Sequence, residues 1–188
     1  MVARPAIQVL GVALFIFASA CTPLLRQESS PFVAARSLDE LVERSDVVLV
    51  GTVEREAGTR NLARDPKDLT REDPTYRVLG QDYLVAVQSR VKGNPPIQVT
   101  ITVARSRGTQ ATGIRDDPDF IPLRSGQLYV LFLRRLPYEP SVLALAIEPS
   151  RFRVEDKVVV ESPWTEAQTY FPAEGRDTFL SRLRSVSK

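Results

Sequence analysis

From Val47 onward the apolar residues of this chain fall into short runs of strand length, with no alternating strand–helix rhythm between them. The clearest is Ile97–Val103, where Ile97, Val99, Ile101 and Val103 alternate with Gln98, Thr100 and Thr102. Strict alternation gives a strand one buried and one polar face. Val47–Val53 (VVLVGTV) is apolar at successive positions and rich in β-branched residues, so it predicts a strand covered on both sides. Tyr83, Val85, Val87 and Val91 share one face of another strand, which Lys92-Gly93-Asn94-Pro95 closes with turn residues. Gln127–Leu133 and Ser141–Ile147 are nearly continuous apolar runs, and Phe152/Val154 and Val158–Val160 flank Glu155-Asp156-Lys157 as a hairpin. Ser37-Leu38-Asp39-Glu40 has capping-box spacing at the head of a short helix, and Phe179, Leu180, Leu183 and Val186 recur at helical spacing at the other end. The pattern predicts a mostly antiparallel barrel or sandwich of five or six strands, with a short N-terminal helix and a C-terminal amphipathic helix. A barrel leaves few open edges, which suits a chain that has no disulfide to secure them.

The chain has one cysteine, Cys21, and its position organises the N-terminus. Arg4, the apolar run Val9–Phe17 and the small residues Ala18, Ser19 and Ala20 read as a signal peptide, too short to span a bilayer as a mature helix, which takes about 20 apolar residues. Ala18-Ser19-Ala20 fits an ordinary signal peptidase site, which would leave Cys21 as the first residue of a secreted protein. Ala18-Ser19-Ala20-Cys21 also resembles the bacterial lipobox, whose cysteine takes a diacylglyceryl group. A lone exposed thiol in an oxidising compartment invites intermolecular disulfides and acylation removes it, so the second reading is preferred. The expected organisation is a signal peptide over 1–20, a lipidated cysteine and tether over 21–36, and one domain over 37–188. The expected location is extracytoplasmic, on the cell membrane or the outer membrane; Thr22 stands where an Asp would resemble an inner-membrane retention signal.

The segments SDVVLVGTV, YLVAVQSRVKG, IQVTITV and LRSGQLYVLFL, in that order between Ser45 and Leu133, resemble the netrin-like module, whose best-known members are the tissue inhibitors of metalloproteinases. The most distinctive parts are Ser45-Asp46, the Lys92-Gly93 corner, and Gly126 ahead of Tyr129 and Phe132. The resemblance implies an OB-like barrel. Chelation of a proteinase zinc by an N-terminal cysteine, as in those inhibitors, is not expected here, because Cys21 has no cysteine to pair with and acylation blocks it.

The chain has no histidine, which removes the Ser-His-Asp triad, the histidine base and histidine metal sites. The single cysteine removes thiol redox chemistry and thiolate zinc sites. The sequence contains no phosphate-cradling glycine motif. A formal charge of +2, falling to +1 with the loss of Arg4 alongside the leader, sets up no long-range field for nucleic acid. No cofactor, metal or nucleic-acid partner is expected, and the domain is read as a non-catalytic binding module for an envelope protein or surface ligand.

Among the remaining features, Asp116-Asp117-Pro118-Asp119 reads as a turn in preference to a calcium site. Trp164, Tyr170 and Phe171 read as packing for the C-terminal segment, and Arg105, Arg107, Arg115 and Arg124 as a solvated loop. OB barrels bind through the loops joining strands one to two and four to five. Here these are expected at Ala57–Asp82, with Arg60, Arg64, Lys67, Arg71 and Arg77, and at Leu136–Pro140, with Tyr138 and Glu139. Two other readings stay open: a protease-inhibitor-like module acting through 57–82, and a hydrolase using carboxylates alone, drawn from Glu139, Glu148 and Glu161.

Overall fold

The computed structural model describes residues 34–109, 111–145 and 148–187. The leader, Cys21 and the tether up to residue 33 lie outside the described residues. Residues 33–188 form one compact unit. In chain order it contains α1 (Leu38–Arg44), β1 (Val47–Asn61), β2 (Arg64–Asp65), β3 (Asp68–Glu72), β4 (Tyr76–Lys92), β5 (Gln98–Thr109) and β6 (Gly113–Asp116). Then follow β7 (Leu128–Leu136), β8 (Glu139–Leu145), β9 (Arg151–Val154), β10 (Lys157–Val160), α2 (Ala167–Tyr170), β11 (Glu174–Gly175) and α3 (Arg176–Val186).

The molecule is mainly β, built on one large mixed sheet. β1 is hydrogen-bonded along both edges, to β4 and to β7, antiparallel in each case. β4 pairs antiparallel with β5, β5 parallel with β8, and β8 antiparallel with β7. The path β1–β4–β5–β8–β7 therefore returns to β1. From β7 the sheet continues through β9 and β10 to β11, while β6 lies along β5 and β2–β3 form a separate hairpin. Gly93 closes the β4 turn with φ +74°, and a Cβ there would sit 2.8 Å from Asp46 O, so both conformation and space demand glycine.

Alternation along β1 and β7 divides the core in two. Val47, Leu49 and Val53 point with Tyr129, Leu131 and Leu133 into a cluster completed by Tyr83, Val85, Val99, Ile101, Val103, Leu123 and Leu143. Val48, Val50, Val130 and Phe132 point the other way, against α1, α2, α3 and the β9–β10 hairpin. This is the two-sided covering that Val47–Val53 predicted. Phe152 lies at the centre of the second cluster, with the rings of Phe132, Phe171 and Phe179 at 5.5, 5.4 and 5.3 Å.

Both terminal helices fall where their patterns placed them. Ser37 Oγ accepts the Glu40 N–H at 3.2 Å and Glu40 Oε2 accepts the Arg36 N–H at 2.8 Å, so the capping box reaches one residue upstream of the cap itself. On α3, Phe179 and Leu183 are buried, and Leu180 and Val186 pack at the margin. α2 is a third, short helix that the sequence pattern did not announce. Phe171 is buried and Trp164 stacks on Tyr170 at 5.2 Å, which agrees with their reading as packing for the C-terminal segment.

Several expectations need correction. Ala57–Asp82 is not a loop: β1 runs on to Asn61 and β4 begins at Tyr76, with the β2–β3 hairpin between them. Glu54–Thr59 are exposed throughout, so this stretch is held by cross-strand backbone bonds to β4 and shows no apolar periodicity. Leu136–Pro140 is likewise only a tight turn at Pro137-Tyr138. Arg105 and Arg107 lie on β5 and Arg115 on β6, since β5 extends to Thr109 and folds back as a hairpin. Within the segment expected as a tether, Ala35 is already part of the domain: it is buried and its N–H donates to Glu148 O at 2.8 Å. The Asp116–Asp119 segment is a turn, with Asp117 Oδ1 accepting the Asp119 N–H at 3.1 Å and Asp117 O the Phe120 N–H at 3.0 Å.

Candidate functional site

The two segments singled out as binding loops meet in space. Past Val53, β1 turns polar, and Arg60 pairs opposite Gly80 on β4. A Cβ at Gly80 would collide with Thr102 Oγ1 and would lie 3.0 Å from Leu62 Cδ1, so the bare glycine lets Leu62 fold back onto the sheet. Asn61 organises the fold-back: its Oδ1 accepts the N–H groups of Ala63 at 3.1 Å and Val78 at 3.2 Å. Leu62 N–H donates to Val78 O at 2.7 Å. The chain beyond is thereby aimed at the β7–β8 turn.

Arg60 joins the two. Its guanidinium donates to both oxygens of Asp82, with Nε at 2.8 and 2.9 Å and Nη2 at 2.7 Å, and its Nη1 lies 2.6 Å from Glu139 Oε2. The Asp82 side chain is only 8% exposed, whereas that of Glu139 is 40% exposed. Hydrogen bonding to Asp82, with Glu139 in support, holds the Arg60 guanidinium above even its usual range, so the cluster carries one fixed cation between two anions. Alongside, the Arg64 guanidinium stands 4.0 Å from the centre of the Tyr138 ring, and Tyr138 O–H donates to Leu62 O at 3.2 Å. Burial raises the Tyr138 phenol pKa, so the hydroxyl stays protonated and donating at neutral pH.

Arg60, Arg64, Tyr138 and Glu139 are thus brought together, and Asp82 is the partner that sequence reasoning left as a loop boundary. Lys67, Arg71 and Arg77 stand apart and exposed, on the β2–β3 hairpin and the start of β4. The joined group is neutral and its members satisfy one another, so its chemistry is that of a brace and leaves no charge to a ligand. What it braces is an arm of strands whose end exposes Leu69 (53%), Tyr76 and Ile114 among the cations. Aromatic, aliphatic and arginine side chains together on a surface are the composition of protein-binding patches.

A second polar group lies inside. Arg151 is 3% exposed; its Nε donates to Glu161 O at 3.1 Å and its Nη1 to Ile121 O. Burial lowers the Arg151 pKa, against the opposing charges of Glu148 and Glu161. Glu161 accepts from Arg153 Nε at 2.8 Å and from Tyr129 O–H at 3.3 Å, and Glu148 accepts from Ser162 O–H at 2.6 Å. The three carboxylates considered for acid–base work are therefore split, with Glu139 on the brace and Glu148 and Glu161 around Arg151. Each is engaged with its own partners.

Burial pushes the Glu148 carboxyl above its ordinary range, with the Ser162 hydrogen bond opposing. A raised carboxyl pKa contributes stability that is full below the unfolded value, near pH 4, and is lost as pH rises through the folded value. Glu148→Gln is therefore expected to unfold at higher denaturant than the parent at pH 7, with the gap closing as pH falls toward 4. A gap that widens on acidification would refute this.

No known family model matches this chain, and no curated protein matches it.

Proposed function

We propose that this chain is a lipid-anchored, extracytoplasmic binding module without catalysis, built on an OB-type barrel, and that the β1–β4 arm with the β7–β8 turn is its binding element. The observation that carries the reading is Arg60, which holds Asp82 of the arm and Glu139 of the turn at once. The barrel is supported by the cyclic pairing β1–β4–β5–β8–β7–β1 and by its one parallel pair, β5–β8. When these five strands are counted in chain order, the arm becomes the first inter-strand connection and the Pro137-Tyr138 turn the fourth, the two connections OB barrels use for ligands. A partner that is a protein or envelope component fits the exposed Leu69, Tyr76 and Ile114 at the arm's end.

The anchor rests on the Ala18-Ser19-Ala20-Cys21 segment and the absence of any other cysteine. Several acyl chains would exceed the two-signal requirement for stable attachment. Intact mass of protein extracted from membranes is expected to show a chain beginning at Cys21 with added acyl groups, and Cys21→Ser is expected to release it to the soluble fraction. A free thiol on native protein overturns the anchor. For the arm, amide exchange over 57–82 is expected to slow when envelope components are added, and to stay fast in a variant whose tip, 63–73, is replaced by a two-residue turn. Slowing that ignores this replacement refutes the arm as the binding element.

A further inference from the structure

We propose that the cleft between α1 and α3 receives the phosphate of an anionic lipid headgroup and seats the domain on the membrane; this goes beyond the arm and rests on the chain being anchored at Cys21. The cleft has a volume of about 200 Å³ and is lined by Arg36, Leu38, Tyr170, Phe171, Arg182 and Val186, with Ser37 and Asp39 at its rim. A liquid water takes about 30 Å³, so the space accepts a group of several heavy atoms.

The lining has the chemistry of a phosphate site with an apolar wall. Arg36 is exposed and its guanidinium carbon stands 5.4 Å from the centre of the Tyr170 ring. Tyr170 is 37% exposed and rests on Trp164 at an interplanar angle of 17°. Arg182 lies against Phe179 at 5.9 Å and donates one edge to Glu174 Oε2 at 2.7 Å, while its side chain remains 49% exposed. Each guanidinium carries five donors, so one occupied edge leaves others for phosphate oxygens. Amphipathic aromatics beside basic residues are the composition that settles at headgroup depth. Asp39 is the opposing charge at the rim.

Location selects a lipid over a free anion. Arg36 follows Cys21 by fifteen residues, at most about 50 Å of extended chain, so an anchored domain keeps this cleft within reach of the bilayer. The cations of the arm are interleaved with Asp65, Asp68, Glu72 and Asp73, two of which, Asp68 and Asp73, are committed to Thr70 and to Thr75 and Tyr76.

The test uses the chain from residue 22, which retains the whole compact unit and lacks the anchor, sedimented with phosphatidylcholine vesicles alone or containing phosphatidylglycerol. Binding is expected only with phosphatidylglycerol, weakening with salt. Arg36→Gln and Arg182→Gln should each lower the partition constant about fivefold. Asp39→Asn should raise it. Unfolding curves establish that each exposed-site variant is folded. Equal binding to both vesicles, binding indifferent to Arg36 and Arg182, or displacement by millimolar inorganic phosphate would each overturn the lipid assignment. Failure of acylation at Cys21 is read separately by mass and does not alter the vesicle outcome.

Discussion

Phe152→Ala is expected to lower the unfolding free energy by about 3–5 kcal/mol. The side chain is 1% exposed and touches rings from β7, the segment after α2, and α3. Those neighbours belong to separate elements, each held in place by other contacts, so they cannot all move inward to fill the space left by the ring. The loss should exceed that of Phe152→Leu, which keeps most of the volume. Urea unfolding with an unchanged m-value would measure it. A loss under about 1 kcal/mol would show that α3 repacks freely, contrary to the arrangement described.

Asp82→Ala is expected to cost about 2–3 kcal/mol, because it strips Arg60 of its buried bidentate partner and leaves only the more exposed Glu139. The cost should fall mainly on pairwise coupling: once Arg60 is also alanine, removing Asp82 should cost much less, and a double-mutant cycle isolates the difference. Glu139→Ala should cost below about 1 kcal/mol, as its side chain is 40% exposed and solvent screens the pair. Amide exchange in the arm should quicken in Asp82→Ala while the Val47–Val53 amides stay slow. Uniform quickening throughout β1 would mean that arm and core open as one unit.

What could be read from the sequence follows from where burial supplies the signal. Val47–Val53, Val99–Val103 and Leu128–Leu133 announce themselves because their alternate residues enter one core or both, whereas Ile97, expected on the same buried face, lies ahead of β5 and is 78% exposed. Glu54–Thr59 and the start of β4 do not, since their side chains face solvent and backbone bonding defines them. The same limitation turned a strand-built arm into an expected loop. Arg60, Arg64, Tyr138 and Glu139 were legible as two groups, but their meeting depends on which strands adjoin across the sheet. Asp82 gave no local cue, being one acid at the start of an apolar strand. Arg151 was hidden within the Phe152/Val154 alternation, where an even-odd pattern reports the face opposite its own.

The way the chain enters the domain determines how a pull from its N-terminal side would be borne. Ala35 is fixed by its bond to Glu148 O, α1 packs against the core, and β1 follows within three residues of α1. Tension from upstream would be taken first by the Ala35 bond and by α1, and would reach β1, whose hydrogen bonds to β4 and β7 run across its axis on both sides, only after these give. Bonds loaded in shear share the force and must fail together, whereas a peeled edge strand gives way one rung at a time. A domain tugged from that side would on this geometry yield last at its centre.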